Sequence, residues 1–337
     1  MTGDLPIRTL AGGLPVTTLG FGAASIGNLY RAVPDEQAAA AVDAAWDGGV
    51  RYFDTAPHYG VGLSERRLGA ALSGRPRAAY VISTKVGRLL EPNPAPTGSD
   101  LANAFDTPDT HVRVLDYSAA GVRRSLEESL ARLGLDRVDI VYVHDPDEHV
   151  EQVLTQALPE LGRLREEGMV GAIGVGMNQW QAPLRFVTES PVPLDVVMLA
   201  GRWTLLDRSG LPLLTAALEH GVAVVAAAPF NSGLLAKNRP SPQAHFDYGP
   251  VPGPVLGAAQ ELADLARSFG TTLPAAALQF PLRHPAVVSV VTGIGSPQHA
   301  ATSLSWFEAD IPDELWPAVE EVQARLPVEL GLSGSAP

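Results

Sequence analysis

Short β-branched runs alternate with helical periods eight times along this 337-residue chain, and that alternation constrains its fold more than any other feature. Strands are predicted near 17–22, 50–53, 80–84, 138–143, 170–175, 192–199, 222–227 and 287–291. Their apolar residues run continuously rather than alternating, as parallel strands buried on both faces require. Helices are predicted after them. Pro34-Asp35 opens one with Ala38, Val42, Ala45 and Trp46 on one face, and Gly48-Gly49 closes it. Ser64 is read as the cap of a second and Ser118 as the cap of a third, which Gly134 ends. Others are expected near 150–167, 181–188, 211–220, 254–269, 274–283, 297–306 and 313–325. Eight strand-then-helix units in one chain favour a single α/β domain over 1–337, a closed (β/α)8 TIM barrel. Residues 5–20 read as a short N-terminal β-hairpin around Gly12-Gly13. Two irregular stretches, 87–117 and 229–253, read as long βα loops over the C-terminal face. A doubly wound sheet is the rival, but Gly20-Phe-Gly-Ala-Ala-Ser lacks the third glycine of a dinucleotide turn.

Composition removes several function classes. The formal charge is −13, so the chain has no electrostatic footprint for nucleic acid and is repelled by anionic lipid. There is no cysteine, which excludes disulfides, thiolate nucleophiles and Cys-ligated metal. The eight histidines are scattered, with no His-x-His or His-Glu-x-x-His, so no metal site is expected. No secretory signal pattern and no apolar stretch of membrane-spanning length is visible, and a soluble cytoplasmic protein is expected. No sequence feature sets an oligomeric state.

In a barrel the strand ends converge on one site. The second strand ends in Asp54, the third in Thr84-Lys85, the fourth in His144-Asp145. Taken singly, each has an ordinary explanation: a turn-forming acid, a solvated lysine, a satisfied histidine. Tyr59, five residues past Asp54, reads singly as packing. Falling in register at one end of consecutive strands, the three charged positions point instead to a shared site.

Gly49-Val-Arg-Tyr-Phe-Asp54-Thr-Ala-Pro-His-Tyr59-Gly, followed by Ser64-Glu65-Arg-Arg-Leu68-Gly69, resembles the signature of the aldo-keto reductases. Ile82-Ser-Thr-Lys85-Val and Asp139-Ile-Val-Tyr-Val-His144 resemble that family's further blocks, and the likeness runs over nearly the whole chain. It implies a catalytic tetrad of Asp54, Tyr59, Lys85 and His144. Further blocks, among them Lys85-Val-Gly-Arg88, His144-Asp-Pro-Asp, Leu199-Ala-Gly-Arg-Trp-Thr-Leu-Leu-Asp207 and Ala228-Pro-Phe-Asn-Ser-Gly-Leu-Leu235, resemble the family's aldose 1-dehydrogenase branch, which includes L-fucose (D-threo-aldose) dehydrogenase and to which pyridoxal 4-dehydrogenase is similar.

The resemblance implies hydride transfer between nicotinamide C4 and a carbonyl or carbinol carbon, with a sugar or aldehyde as the small-molecule partner. In this reading Lys85 pulls the Tyr59 pKa down, Asp54 holds Lys85, and His144 binds the substrate oxygen. A cyclic hemiacetal oxidised at C1 to a lactone is the leading reaction. A general aldehyde or ketone reductase is the alternative within enzymes, and a nucleotide-sensing barrel with little turnover is the alternative outside them. His58, Arg202 and Trp203 are candidates to line the substrate pocket, and Arg202 and Trp203 read equally well as packing or surface residues.

For the cofactor, the resemblance points to Asn178, to the turn containing Pro229, Asn231, Ser232, Gly233 and Leu234, and to Gly293, Gly295, Ser296, Gln298 and His299. Met177, Ala200 and Ala226-Ala-Ala228 stand where relatives often carry Ser, Gln and an aromatic ring. With no fixed cation in 293–299, NAD is expected over NADP.

Overall fold

The computed structural model describes residues 4–247 and 249–327. The 1–337 domain reading extends past both ends of that range, and residue 248 of the 229–253 reading lies outside it. Eight parallel strands close into a barrel: β1 Leu19–Gly22, β2 Tyr52–Asp54, β3 Val81–Val86, β4 Val138–His144, β5 Val170–Met177, β6 Val196–Ala200, β7 Ala223–Ala227 and β8 Val287–Gly293. Each pairs with the next in sequence, and β8 returns to β1.

The register staggers the strands. Asp54 pairs with Ser83, two residues short of Lys85, and Lys85 pairs with Tyr142, two short of His144. This is the shear that a tilted, closed sheet needs. It advances the end of each strand along the rim, so that Asp54, Lys85 and His144 come around the same mouth.

Alternate residues divide between two cores. Phe53, Ile82, Val141 and Val143 face outward and pack with the helical residues Leu68, Leu126 and Leu130. Tyr52, Ile140, Tyr142, Val196, Met198 and Val225 face inward. The hairpin Ile7–Thr9 with Pro15–Thr17 crosses the opposite end of the barrel, and its Leu10 joins the inward cluster. Its turn uses Gly12 and Gly13 at φ 77° and 90°, a left-handed conformation that glycine adopts without Cβ strain.

Helix ends follow the local chemistry. Ser118 accepts a hydrogen bond from the Gly121 amide and caps Ala119–Leu133, and Gly134 ends that helix at φ 67°. The helical stretch after β4 passes through a π turn, Val153–Ala157, before Leu158–Glu166. Pro159, in the first turn of that second segment, has no N–H to continue a regular ladder.

Three expectations change. Gly62, not Ser64, precedes helix Leu63–Leu72, and the buried Ser64 hydroxyl instead donates to the Ala23 carbonyl and meets the Thr55 hydroxyl. The strand expected at 192–199 begins at Val196, because Pro191 and Pro193 cannot donate to a central ladder. The stretch 87–117 contains an antiparallel ribbon, Arg88–Pro92 with His111–Leu115.

Candidate active site

The rim of β2 and β3 holds a buried polar cluster. Lys85 Nζ donates to Asp54 Oδ2 at 2.7 Å, to the Thr55 carbonyl at 3.0 Å and to the Tyr59 hydroxyl at 3.1 Å. Asp54 is fixed from its other side by the Ser83 hydroxyl, 2.7 Å from Oδ1. Ser83 in turn meets Tyr52, whose hydroxyl meets Tyr142 at 3.0 Å, so a chain of hydroxyls rises through the barrel interior to the carboxylate. Tyr59 stands in a short turn between β2 and helix Leu63–Leu72, with its ring 6.1 Å from that of His144.

Charge and burial set the protonation states. Burial alone would lower the Lys85 ammonium; attraction to Asp54 and Tyr59, with hydrogen bonds to both, outweighs it and leaves Lys85 above its ordinary value. Burial raises the Tyr59 phenol above its usual 10, and Lys85 acts in the opposite direction without overcoming it. The sequence expectation of a lowered phenol is therefore corrected: desolvation is the larger effect. Burial holds His144 well below 6.5, with Arg88, Lys85 and His58 adding to it, so the imidazole is neutral. Its Nδ1 is buried with no hydrogen-bond partner among the described residues. Burial pushes the neighbouring Asp145 carboxyl up to about 6, against the pull of Arg88.

Two cavities meet at this mouth. One, of about 250 Å³, is lined by Asp54, His58, Tyr59, Lys85, His144 and, from the 87–117 segment, Phe105. The other, of about 510 Å³, runs along Pro229, Asn231, Ser232, Gly233, Gly293 and His299. Ser25, Leu29, Tyr30, Asn178, Ala228 and Gly293 border both, so the two are continuous. The larger one falls in the size range of small-molecule and cofactor sites.

The sequence candidates divide accordingly. The tetrad, His58, Asn178 and the six residues just named around the larger cavity line these spaces. Leu234, Gly295, Ser296 and Gln298 do not: Leu234 belongs to the hydrophobic core, and Ser296 caps helix Pro297–Phe307 by accepting from the His299 amide. The pocket reading of Arg202 and Trp203 is corrected. Arg202 is buried between Asp207 at 3.4 Å and Asp247 at 2.9 Å, and Trp203 packs on Phe280 and His284. Sequence reasoning missed Thr302, Ser303 and Trp306, which line the larger cavity from a helix with no motif of its own. It also missed Arg113, which meets His58 at the cavity wall.

The larger cavity suits a dinucleotide. Ala228, Asn231, Ser232 and Gly233 adopt φ of 51°, 43°, 57° and 89°, a tight left-handed turn that brings backbone close to whatever occupies the space. Asn231 Oδ1 is buried there with no partner among the described residues, an acceptor that a ligand N–H or O–H would satisfy. The lining contains no Lys or Arg among the described residues. Among those residues, no group of three or more His, Cys, Asp or Glu is arranged to hold a metal, and no helix is long and apolar enough to cross a membrane.

A closed parallel barrel with an Asp–Lys–Tyr cluster and a neutral histidine at its strand ends defines a (β/α)8 oxidoreductase scaffold. The sequence profile of the aldo/keto reductase family matches residues 18–324, and the chain belongs to that family, whose enzymes use NAD(P)H. It is 45% identical over 320 residues to a D-threo-aldose 1-dehydrogenase from Pseudomonas sp, covering 94% of this chain and 96% of that one. It is 41% identical over 322 residues to a pyridoxal 4-dehydrogenase from Microbacterium luteolum, covering 90% and 93%. A glycerol dehydrogenase structure from Gluconobacter oxydans superposes with a TM-score of 0.78 at 23% identity, over 99% of both chains, and bears on the fold.

Proposed function

We propose that this enzyme oxidises C1 of an aldose or similar cyclic hemiacetal to a lactone, with Tyr59 as proton acceptor. The observation that carries the proposal is the single ammonium of Lys85 bridging the Asp54 carboxylate and the Tyr59 phenol at the mouth of a cavity of about 250 Å³. Its substrate class is supported by the likeness to the D-threo-aldose and pyridoxal dehydrogenases, since pyridoxal also closes to an internal hemiacetal.

A nicotinamide dinucleotide held along the larger cavity would supply the acceptor for the hydride from C1. Asn178 and the 229–233 turn are the residues that would hold it. The rest is this chain's work. Tyr59 accepts the proton of the anomeric hydroxyl as the C1–H bond breaks and the C1=O bond forms. Lys85 stabilises the phenolate by charge and hydrogen bond, and Asp54 keeps the ammonium in place. His144, neutral, orients the reacting oxygen. The same residues in reverse would deliver a proton to a carbonyl, so direction follows substrate and cofactor ratio.

NAD is the preferred cofactor in this reading, because the larger cavity offers no cationic side chain among its described lining residues for a 2′-phosphate. NADP is the second reading: Arg31 lies near enough to add to the lowering of His299, which burial dominates, and His299 borders that cavity.

A substrate panel tests the function. The enzyme is expected to form lactone and reduced nicotinamide in equal amounts from threo-aldoses or pyridoxal. Turnover of simple aldehydes with NADPH but of no hemiacetal would refute it.

A further inference from the structure

The ribbon in the 87–117 segment folds back over the barrel mouth and carries Arg113 into contact with His58. The Arg113 guanidinium is gripped by Asp100 through two parallel hydrogen bonds, Nη1 to Oδ1 at 2.6 Å and Nη2 to Oδ2 at 2.7 Å. Its Nε donates to His58 Nδ1 at 2.9 Å, and Nη2 also donates to the His58 carbonyl at 2.8 Å. The side chains of both Arg113 and Asp100 are buried.

A buried ion pair adds little to stability, because desolvating two charges offsets most of their attraction. What this one fixes is direction. The planar fork is locked by Asp100, and in that orientation its Nε–H is directed at His58 Nδ1. A nitrogen that accepts a hydrogen bond carries a lone pair rather than a proton, so the imidazole is neutral with its proton on Nε2. His58 borders the cavity that contains Tyr59, Lys85 and His144. Its ring is 6.1 Å from that of Tyr59 and edge-on to Phe105 at 5.3 Å. His58 and Tyr59 therefore face one small cavity as neighbours, within reach of a single small ligand.

We propose that Arg113, held by Asp100, is a positioning residue that keeps His58 as an Nε2–H donor to the hydroxyl on the carbon beside the reacting one. Polyhydroxylated cyclic hemiacetals are thereby favoured over deoxy ones. The identity of this ligand rests on the hemiacetal reading above, whereas the state of the imidazole does not.

The test joins nitrogen-15 NMR of the full chain, with His58 signals assigned by difference against His58→Gln, to kinetics on a threo-aldose and its 2-deoxy analogue. His58 is expected to hold the Nε2–H tautomer from about pH 5.5 to 8 in the wild type. In Arg113→Met it is expected to exchange tautomers and to take a second proton at the acidic end. The same variant should raise KM for the 2-hydroxylated sugar about tenfold, with a smaller change in kcat and none in KM for the 2-deoxy sugar. Should Arg113→Met fail to fold, Arg113→Lys keeps a positive charge without the fork and should show the same tautomer exchange. A wild-type His58 protonated on Nδ1, or a variant with unchanged tautomer and unchanged KM ratio, overturns the proposal. If the tautomer responds but neither sugar is oxidised, the hemiacetal reading fails and the Arg113–His58 coupling stands.

Discussion

The Lys85 ammonium lies 3.1 Å from the Tyr59 hydroxyl, in a chain whose only lysines are Lys85 and Lys237. Arginine fills every other fixed basic position. A guanidinium would present a planar fork suited to a carboxylate, whereas a compact ammonium can donate to Asp54, a backbone carbonyl and a phenol at once. Burying such a charge is costly unless it is paired, and Asp54 provides the pair at 2.7 Å. The scaffold therefore holds one full positive charge against the proposed proton carrier.

Removing that charge has a signed consequence for pH dependence. The phenolate is the active form in oxidation, so kcat/KM should rise with pH up to the Tyr59 pKa. Burial raises that pKa and Lys85 lowers it. Lys85→Met should thus displace the rising limb to higher pH and reduce kcat about 10²- to 10⁴-fold at neutral pH. Nicotinamide affinity, measured by quenching of protein fluorescence, should change little. A limb moved to lower pH would contradict this role.

His144 should contribute no ionisation near neutrality. Burial, with Arg88, Lys85 and His58 around it, holds its pKa well below 6.5. We expect the wild-type kcat/KM profile to lack an acidic limb between about pH 6 and 8 that His144→Gln abolishes. A limb in that window removed by the substitution would mean the imidazole titrates there.

Gly69 should be a stability position rather than a functional one. A Cβ at this residue would come within 2.3 Å of the Leu133 carbonyl, a backbone atom with no freedom to retreat. Gly69→Ala is expected to cost about 1–3 kcal/mol in urea unfolding, with activity per folded molecule unchanged. Unaltered stability would show that helices Leu63–Leu72 and Ala119–Leu133 separate easily.

Cofactor choice can be read from a ratio. With no cation lining the larger cavity among the described residues, kcat/KM should be higher with NAD than with NADP. Arg31→Ala should lower the NADP value further and leave the NAD value in place. A strong NADP preference lost in Arg31→Ala would instead favour the second reading.

The barrel was legible because its strands are buried on both faces and read as unbroken apolar runs, and Asp54, Lys85 and His144 lie at or next to the ends of three of them. The ribbon was not: its second strand leaves Val112, Val114 and Leu115 largely exposed, so no periodicity marks a core face. Arg113 was hidden with it, since its meaning depends on Asp100 and His58, 13 and 55 residues away. Ser64, Glu65 and Gly69 travel in sequence with the Asp54–Tyr59 motif, yet their contacts are structural. Glu65 accepts from the Thr84 hydroxyl and from Arg132, tying helix Leu63–Leu72 to β3. Arg202 and Trp203 misled for the opposite reason: proximity to the end of β6 does not determine which way a side chain turns.

The most direct measurement is turnover of Tyr59→Phe on a threo-aldose, with nicotinamide affinity measured on the same preparation. Loss of activity by at least about 10²-fold with affinity retained is the expected result. A folded, cofactor-binding Tyr59→Phe that keeps most of its activity would contradict Tyr59 as the proton carrier.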